Sequence, residues 1–137
     1  MARDQLRVVV IDDHELFRGG LVALLEERGI KVIGEAGLAA DGIRQACELN
    51  PDVVLMDLNM PVMNGVQATR LIRSQYQGIH VLVLATYDFD VWISDALRLG
   101  AEGFLLKDSP RETLAAGIQA VAAGKNSVNI TPNINAG

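Results

Sequence analysis

Five short apolar runs recur along this chain, and each is followed by a stretch whose apolar residues are spaced three and four apart. The runs cover residues 6–11, 31–36, 53–56, 80–85 and 103–106. Runs of this length, bounded by turn signals, are strands, and near-continuous apolarity marks strands covered on both faces. Strands alternating with helices predict a parallel sheet with helices on both sides and right-handed crossovers. The second run alternates Val32 and Gly34 against Ile33 and Glu35, so it is expected at an edge.

The stretches between the runs carry helical signals. After His14, the residues Phe17, Leu21, Leu24 and Leu25, with Arg28, follow one helical face, and Gly29 is placed to close the helix in the left-handed region. Residues 41–49 form the second expected helix, with Ile43, Ala46 and Cys47 on one side and Asn50-Pro51 as its stop. Ala68, Leu71, Ile72 and Tyr76 mark a third, residues 89–99 a fourth ending at Gly100, and Ser109-Pro110 the start of a fifth, with Ser109 as cap. Leu114, Ile118 and Val121 are its inward stripe and Gly124 its end. The expected fold is a flavodoxin-like (βα)5 doubly wound sheet in the order 2-1-3-4-5.

The charged residues give this pattern a direction. The third run ends abruptly at Asp57, the first at Asp12-Asp13 and the fifth at Lys107, while the fourth ends at Ala85-Thr86. In the order 2-1-3-4-5, these termini share one edge of the sheet, where open α/β folds bind ligands. Taken singly, each residue has a plain explanation. Asp12 alone reads as a helix cap and Lys107 alone as a solvated lysine. His14 reads as a helix-start residue, and His80 simply begins a strand. Phe104 reads as core, and Trp92, with Phe89, as surface. The convergence of Asp12, Asp13, Asp57 and Lys107 argues for a site.

Three carboxylates packed together repel, and a hard divalent cation relieves the repulsion. Mg²⁺ prefers oxygen ligands and keeps several waters. Asp13 and Asp57 can supply direct oxygens, Asp12 can act through water, and the main-chain carbonyl near Asn59 can add another. Lys107 suits a phosphate or carboxylate oxygen. A carboxylate in such a setting can attack phosphorus to form an aspartyl phosphate.

Composition narrows the alternatives. A chain of 137 residues is one domain of ordinary size. A net charge of −5 argues against a nucleic-acid surface here. A single cysteine, Cys47, permits no internal disulfide and fits a reducing compartment. No apolar run approaches a membrane span, and the N-terminus lacks a signal pattern, so a cytoplasmic domain is expected.

With these residues in view, the chain resembles the receiver domain of two-component response regulators. The resemblance rests on Asp12-Asp13, on Asp57 followed by Met60-Pro61 and Gly65, and on Gly103-Phe104-Leu105-Leu106-Lys107. The stretch from Asp12 to Arg18, followed by Gly20-Leu21, is similar to the NarL/FixJ branch. The resemblance implies phosphoryl transfer from a sensor histidine kinase to Asp57, with Asp12, Asp13, Asp57 and the Asn59 carbonyl holding Mg²⁺. It implies that Lys107 contacts the phosphoryl group and that Phe104 is the aromatic switch residue. It also implies a shifted face of the fourth helix, fifth strand and fifth helix, a possible homodimer, and a DNA-binding helix-turn-helix domain absent from this chain. Residues 1–124 are then the receiver, and 125–137 a linker or tail.

Two departures bear on switching. Counting from Gly100 puts Ala85 where the family carries Thr or Ser, so Thr86 can serve only if the backbone bends there. Asp108 follows Lys107 where the family often has proline. Ala85 motivates one alternative, a phosphorylation-independent interaction module. The other alternative is an Mg²⁺-dependent aspartyl-phosphate hydrolase. Such enzymes need a second acid two residues after the nucleophile, and here that residue is Asn59.

Overall fold

The computed structural model describes residues 5–87 and 91–123. Ten elements alternate: β1 (Arg7–Ile11), α1 (Glu15–Glu27), β2 (Lys31–Ala36), α2 (Ala39–Leu49), β3 (Val53–Asp57), α3 (Gly65–Gln75), β4 (His80–Ala85), α4 (Val91–Arg98), β5 (Gly103–Leu106) and α5 (Arg111–Ala122). The five strands are parallel in the order β2-β1-β3-β4-β5, which is the expected flavodoxin-like arrangement with β2 at an edge.

Strand periodicity divides the core in two. Val9, Ile11, Val54, Met56, Val81, Val83, Phe104 and Leu106 face α2, α3 and α4. Val8, Val10, Val53, Leu55, Leu82, Leu84 and Leu105 face α1 and α5, against Leu21, Leu24, Leu25, Leu114, Ile118 and Val121. Each central strand is therefore covered on both sides. This is why these runs are apolar throughout instead of alternating.

The helix ends follow local chemistry. Gly29, at φ +77°, follows the α1 C-cap Arg28, and Asn50 caps α2 at φ 50°. Asn64 opens α3 with a capping box: its side chain accepts from the Gln67 N–H while the Gln67 side chain accepts from the Asn64 N–H. Gly65 must be glycine, because a Cβ there would collide with the Asp57 carbonyl oxygen and the Leu58 backbone.

Several expectations need correction. α2 starts at Ala39, two residues before the expected Asp41. Ser109 is not the cap of α5. Pro110 occupies that position with an extended ψ of 151°, and no side chain caps the helix. Trp92 is partly buried against the core, not a free surface residue, whereas Phe104 is core as expected. The expectations for Phe89, for Gly124 and for 125–137 lie outside the described residues.

Candidate functional site

The site forms at the carboxyl edge of the sheet from three neighbouring strands and the turn that opens α1. Asp57 is the last residue of β3 and continues the face of Val53 and Leu55, towards α1 and α5. Asp12 follows β1 directly, and Lys107 follows β5, where its N–H donates to the Ala85 carbonyl at 2.9 Å. The sheet order thus brings residues 12, 57 and 107 to one place.

Asp12 and Asp57 are fully buried, while Asp13 is partly exposed at the rim. Asp12 is held at both ends. Its Oδ1 accepts from the His14 N–H at 2.8 Å, and its carbonyl accepts from Arg18, whose Nε also reaches Glu35 at 3.2 Å. The Asp57 Oδ1 accepts from the Asn59 N–H at 3.3 Å. The other oxygen, Oδ2, has no hydrogen-bond partner although it is buried. Its nearest cation is the Lys107 ammonium at 3.4 Å, and that ammonium lies closer to Asp12 Oδ2, at 2.8 Å.

Burial first, and then the neighbouring Asp12 charge, together raise the Asp57 pKa from 3.8 to about 7, against the pull of Lys107 and the Asn59 N–H. A buried carboxylate with an unanswered oxygen and a crowded negative field is costly unless another cation joins it. Asp12, Asp13, His14 and Asp57 each offer a ligand atom, and these atoms lie within 4.8 Å of one another. The donor set is mainly carboxylate oxygen, and two buried oxygens in it lack hydrogen-bond partners, so the residues fit a hard divalent cation.

Sequence reasoning missed His14. It is the N-cap residue of α1, as its position suggested, but its side chain makes no cap bond. Its Nδ1 instead lies 3.1 Å from Lys107 Nζ, 3.4 Å from Asp12, 3.5 Å from Asp13 and 4.0 Å from Asp57. Arg18 was also missed. Its place one turn beyond the acids was the available signal, but its bond to the Asp12 carbonyl depends on the tertiary fold. His80 does begin β4, but it also pairs with Glu102 at 2.6 Å at the far edge of the sheet. Ala85 is buried at the end of β4, and the backbone bends at the next residue, Thr86, which is exposed. Among the described residues no peptide is cis, including the one joining Lys107 to Asp108.

The response regulator receiver domain model matches residues 8–119. The chain belongs to the response regulator receiver family. Among curated relatives, the transcriptional regulatory protein LiaR of Bacillus subtilis is 41% identical over 88% of this chain and 57% of its own length. The transcriptional regulatory protein DegU of Brevibacillus brevis is 37% identical over 88% of the chain and 52% of its own length. The receiver therefore spans between half and three-fifths of these proteins. Among solved structures, the receiver domain of the putative response regulator NarL from Mycobacterium tuberculosis superposes with a TM-score of 0.85 at 38% identity, covering 90% of this chain and all of the other. A LuxR-family response regulator from Aurantimonas sp. SI85-9A1 superposes at 0.87 with 32% identity, covering 96% and 93%.

Proposed function

We propose that Asp57 of this receiver accepts a phosphoryl group from a phosphohistidine of a sensor kinase, in a pocket where Asp12, Asp13, Asp57 and the Asn59 carbonyl hold Mg²⁺. The observation that carries the reading is the buried Asp57 Oδ2, which lacks a hydrogen-bond partner and lies beside one lysine and two further acids. When bound, Mg²⁺ supplies the positive charge that keeps Asp57 ionised and neutralises phosphoryl oxygens. An Asp57 oxygen attacks phosphorus, the new O–P bond forms, and the N–P bond to the kinase imidazole breaks with its electron pair leaving on nitrogen. Lys107 meets the charge on the transferred group. Catalysis here is positioning and charge neutralisation, with no proton supplied to the leaving group by a second acid two residues after Asp57. Asn59, where a hydrolase would carry that acid, supports this over the hydrolase reading.

The modification adds roughly −1.5 to −2 charges at the edge of the sheet. Ala85 has no hydroxyl to offer, so in this reading the switch hydroxyl comes from Thr86, at the bend, with Phe104 as the buried aromatic partner. The relatives' description as transcriptional regulatory proteins supports an output in transcription, exerted through a DNA-binding domain outside this receiver.

The test treats wild type and Asp57→Ala with phosphoramidate and Mg²⁺ and reads intact mass. Wild type gains one phosphoryl group and the variant none. Sedimentation of the same samples reads whether phosphorylation changes assembly. Wild type without an adduct refutes the proposal.

A further inference from the structure

We propose that the first turn of α1 is a holding site for the Lys107 ammonium, with His14 as a positioning residue for phosphoryl transfer. The inference rests on Asp57 being the phosphoacceptor. Two sets of partners compete for Lys107 Nζ. On the pocket floor are the buried carboxylates, Asp12 Oδ2 at 2.8 Å and Asp57 Oδ2 at 3.4 Å. At the mouth are two groups from the start of α1, His14 Nδ1 at 3.1 Å and the face of the Phe17 ring, 4.9 Å from its centroid. An ammonium has three donors and no acceptor, so His14 Nδ1 accepts in this bond.

The placement is not explained by capping, since the His14 side chain makes no cap bond. The ring is 62% exposed, yet its Nδ1 is turned inward, within 4.0 Å of all three acids and the lysine. The consequence follows from where the phosphoryl group must grow. It extends from Asp57 towards the opening, away from the floor. An ammonium attracted only by Asp12 and Asp57 settles on the floor and shields the nucleophile. His14 and Phe17 draw it outward, to where phosphoryl oxygens arrive, so less reorganisation is needed at transfer.

The test measures the rate of phosphoryl adduct formation from phosphoramidate and Mg²⁺ by intact mass. Wild type, His14→Ala, His14→Gln, Lys107→Met and the double variant His14→Ala/Lys107→Met are compared, with Mg²⁺ affinity and thermal midpoint measured for each. His14→Ala slows adduct formation about tenfold, the order expected for one hydrogen bond to a charged group. His14→Gln, whose side-chain oxygen can still accept, retains most of the rate. In the Lys107→Met background, His14→Ala changes the rate less than twofold, because its effect passes through the lysine. Within each background, His14→Ala leaves Mg²⁺ affinity within twofold. An unchanged rate in His14→Ala, equal losses in both backgrounds, or a fall in Mg²⁺ affinity that accounts for the loss overturns the proposal. The first of these leaves Asp57 as the acceptor. Wild type that forms no adduct overturns the acceptor reading and this inference together.

Discussion

Both edges of the sheet carry charged residues and treat them in opposite ways. At the amino edge, Arg7, Asp52, Arg73, His80 and Glu102 all have partners. Asp52 Oδ2 accepts from the Arg7 N–H, and the Arg7 guanidinium donates to the carbonyls of Leu49 and Asn50. Arg73 donates to the carbonyls of Gln77 and Ile79, and His80 meets Glu102 at 2.6 Å. At the carboxyl edge, three acids gather around one lysine, and a buried oxygen of Asp57 is left without a hydrogen bond. Charges at the first edge tie loops to strands. Charges at the second are held apart from full satisfaction, and that unmet demand is what a cation and a phosphoryl group can answer. A charged cluster alone therefore does not mark a site; the separating criterion is whether its buried polar atoms are satisfied.

The sharpest way to break this contrast is Asp57→Asn in the absence of divalent metal. The Asp57 pKa is raised to about 7 in the fold, so folding favours the protonated form. The associated penalty is absent below about pH 4, grows as pH rises towards 7 and is full above it. Asp57→Asn should therefore stabilise the metal-free protein at pH 8 by on the order of 2–4 kcal/mol, and hardly at all at pH 4. Urea denaturation at the two pH values checks it. Adding Mg²⁺ should raise the wild-type midpoint more than that of the variant. A wild type as stable as the variant at pH 8 would mean that the pocket stores no such demand.

Gly65→Ala tests the packing that sets Asp57 in place. The added Cβ meets the Asp57 carbonyl and Leu58 backbone, so it should cost about 2–3 kcal/mol and weaken Mg²⁺ binding, measured by denaturation and calorimetry. At the opposite edge, Arg73→Ala should cost about 1–2 kcal/mol by stranding the Gln77 and Ile79 carbonyls, with adduct formation unchanged. A slowed adduct would blur the distinction between the edges. The smallest effect belongs to Val62, a β-branched residue at φ +70° between Pro61 and Met63, whose N–H reaches back to the Pro61 carbonyl. Val62→Gly should relieve that conformation and stabilise the fold by about 1 kcal/mol, read as a raised thermal midpoint.

Much of this was legible in the chain. The buried strands announced themselves because a strand covered on both faces must be apolar at every position, and β5 begins and ends where its sequence pattern says. Asp12, Asp13, Asp57 and Lys107 were legible because each interrupts such a run at its carboxyl end. Helix starts were less so. A Ser-Pro pair fits either residue as cap, and only the backbone at Pro110 decides between them. Trp92 was misjudged because its own sequence position does not show which neighbouring elements pack over it.

The periodicity of the sequence determined the sheet, its two covering layers and the edge at which the acids meet, since burial permits few other arrangements of such runs. Tertiary structure decided which atoms at that edge go unanswered. The inward turn of the His14 ring, the grip of Arg18 on the Asp12 carbonyl and the missing hydrogen bond at Asp57 Oδ2 depend on ångström-scale distances set by how the elements pack. Local pattern carries no information about those distances, because they are set by how whole strands and helices pack.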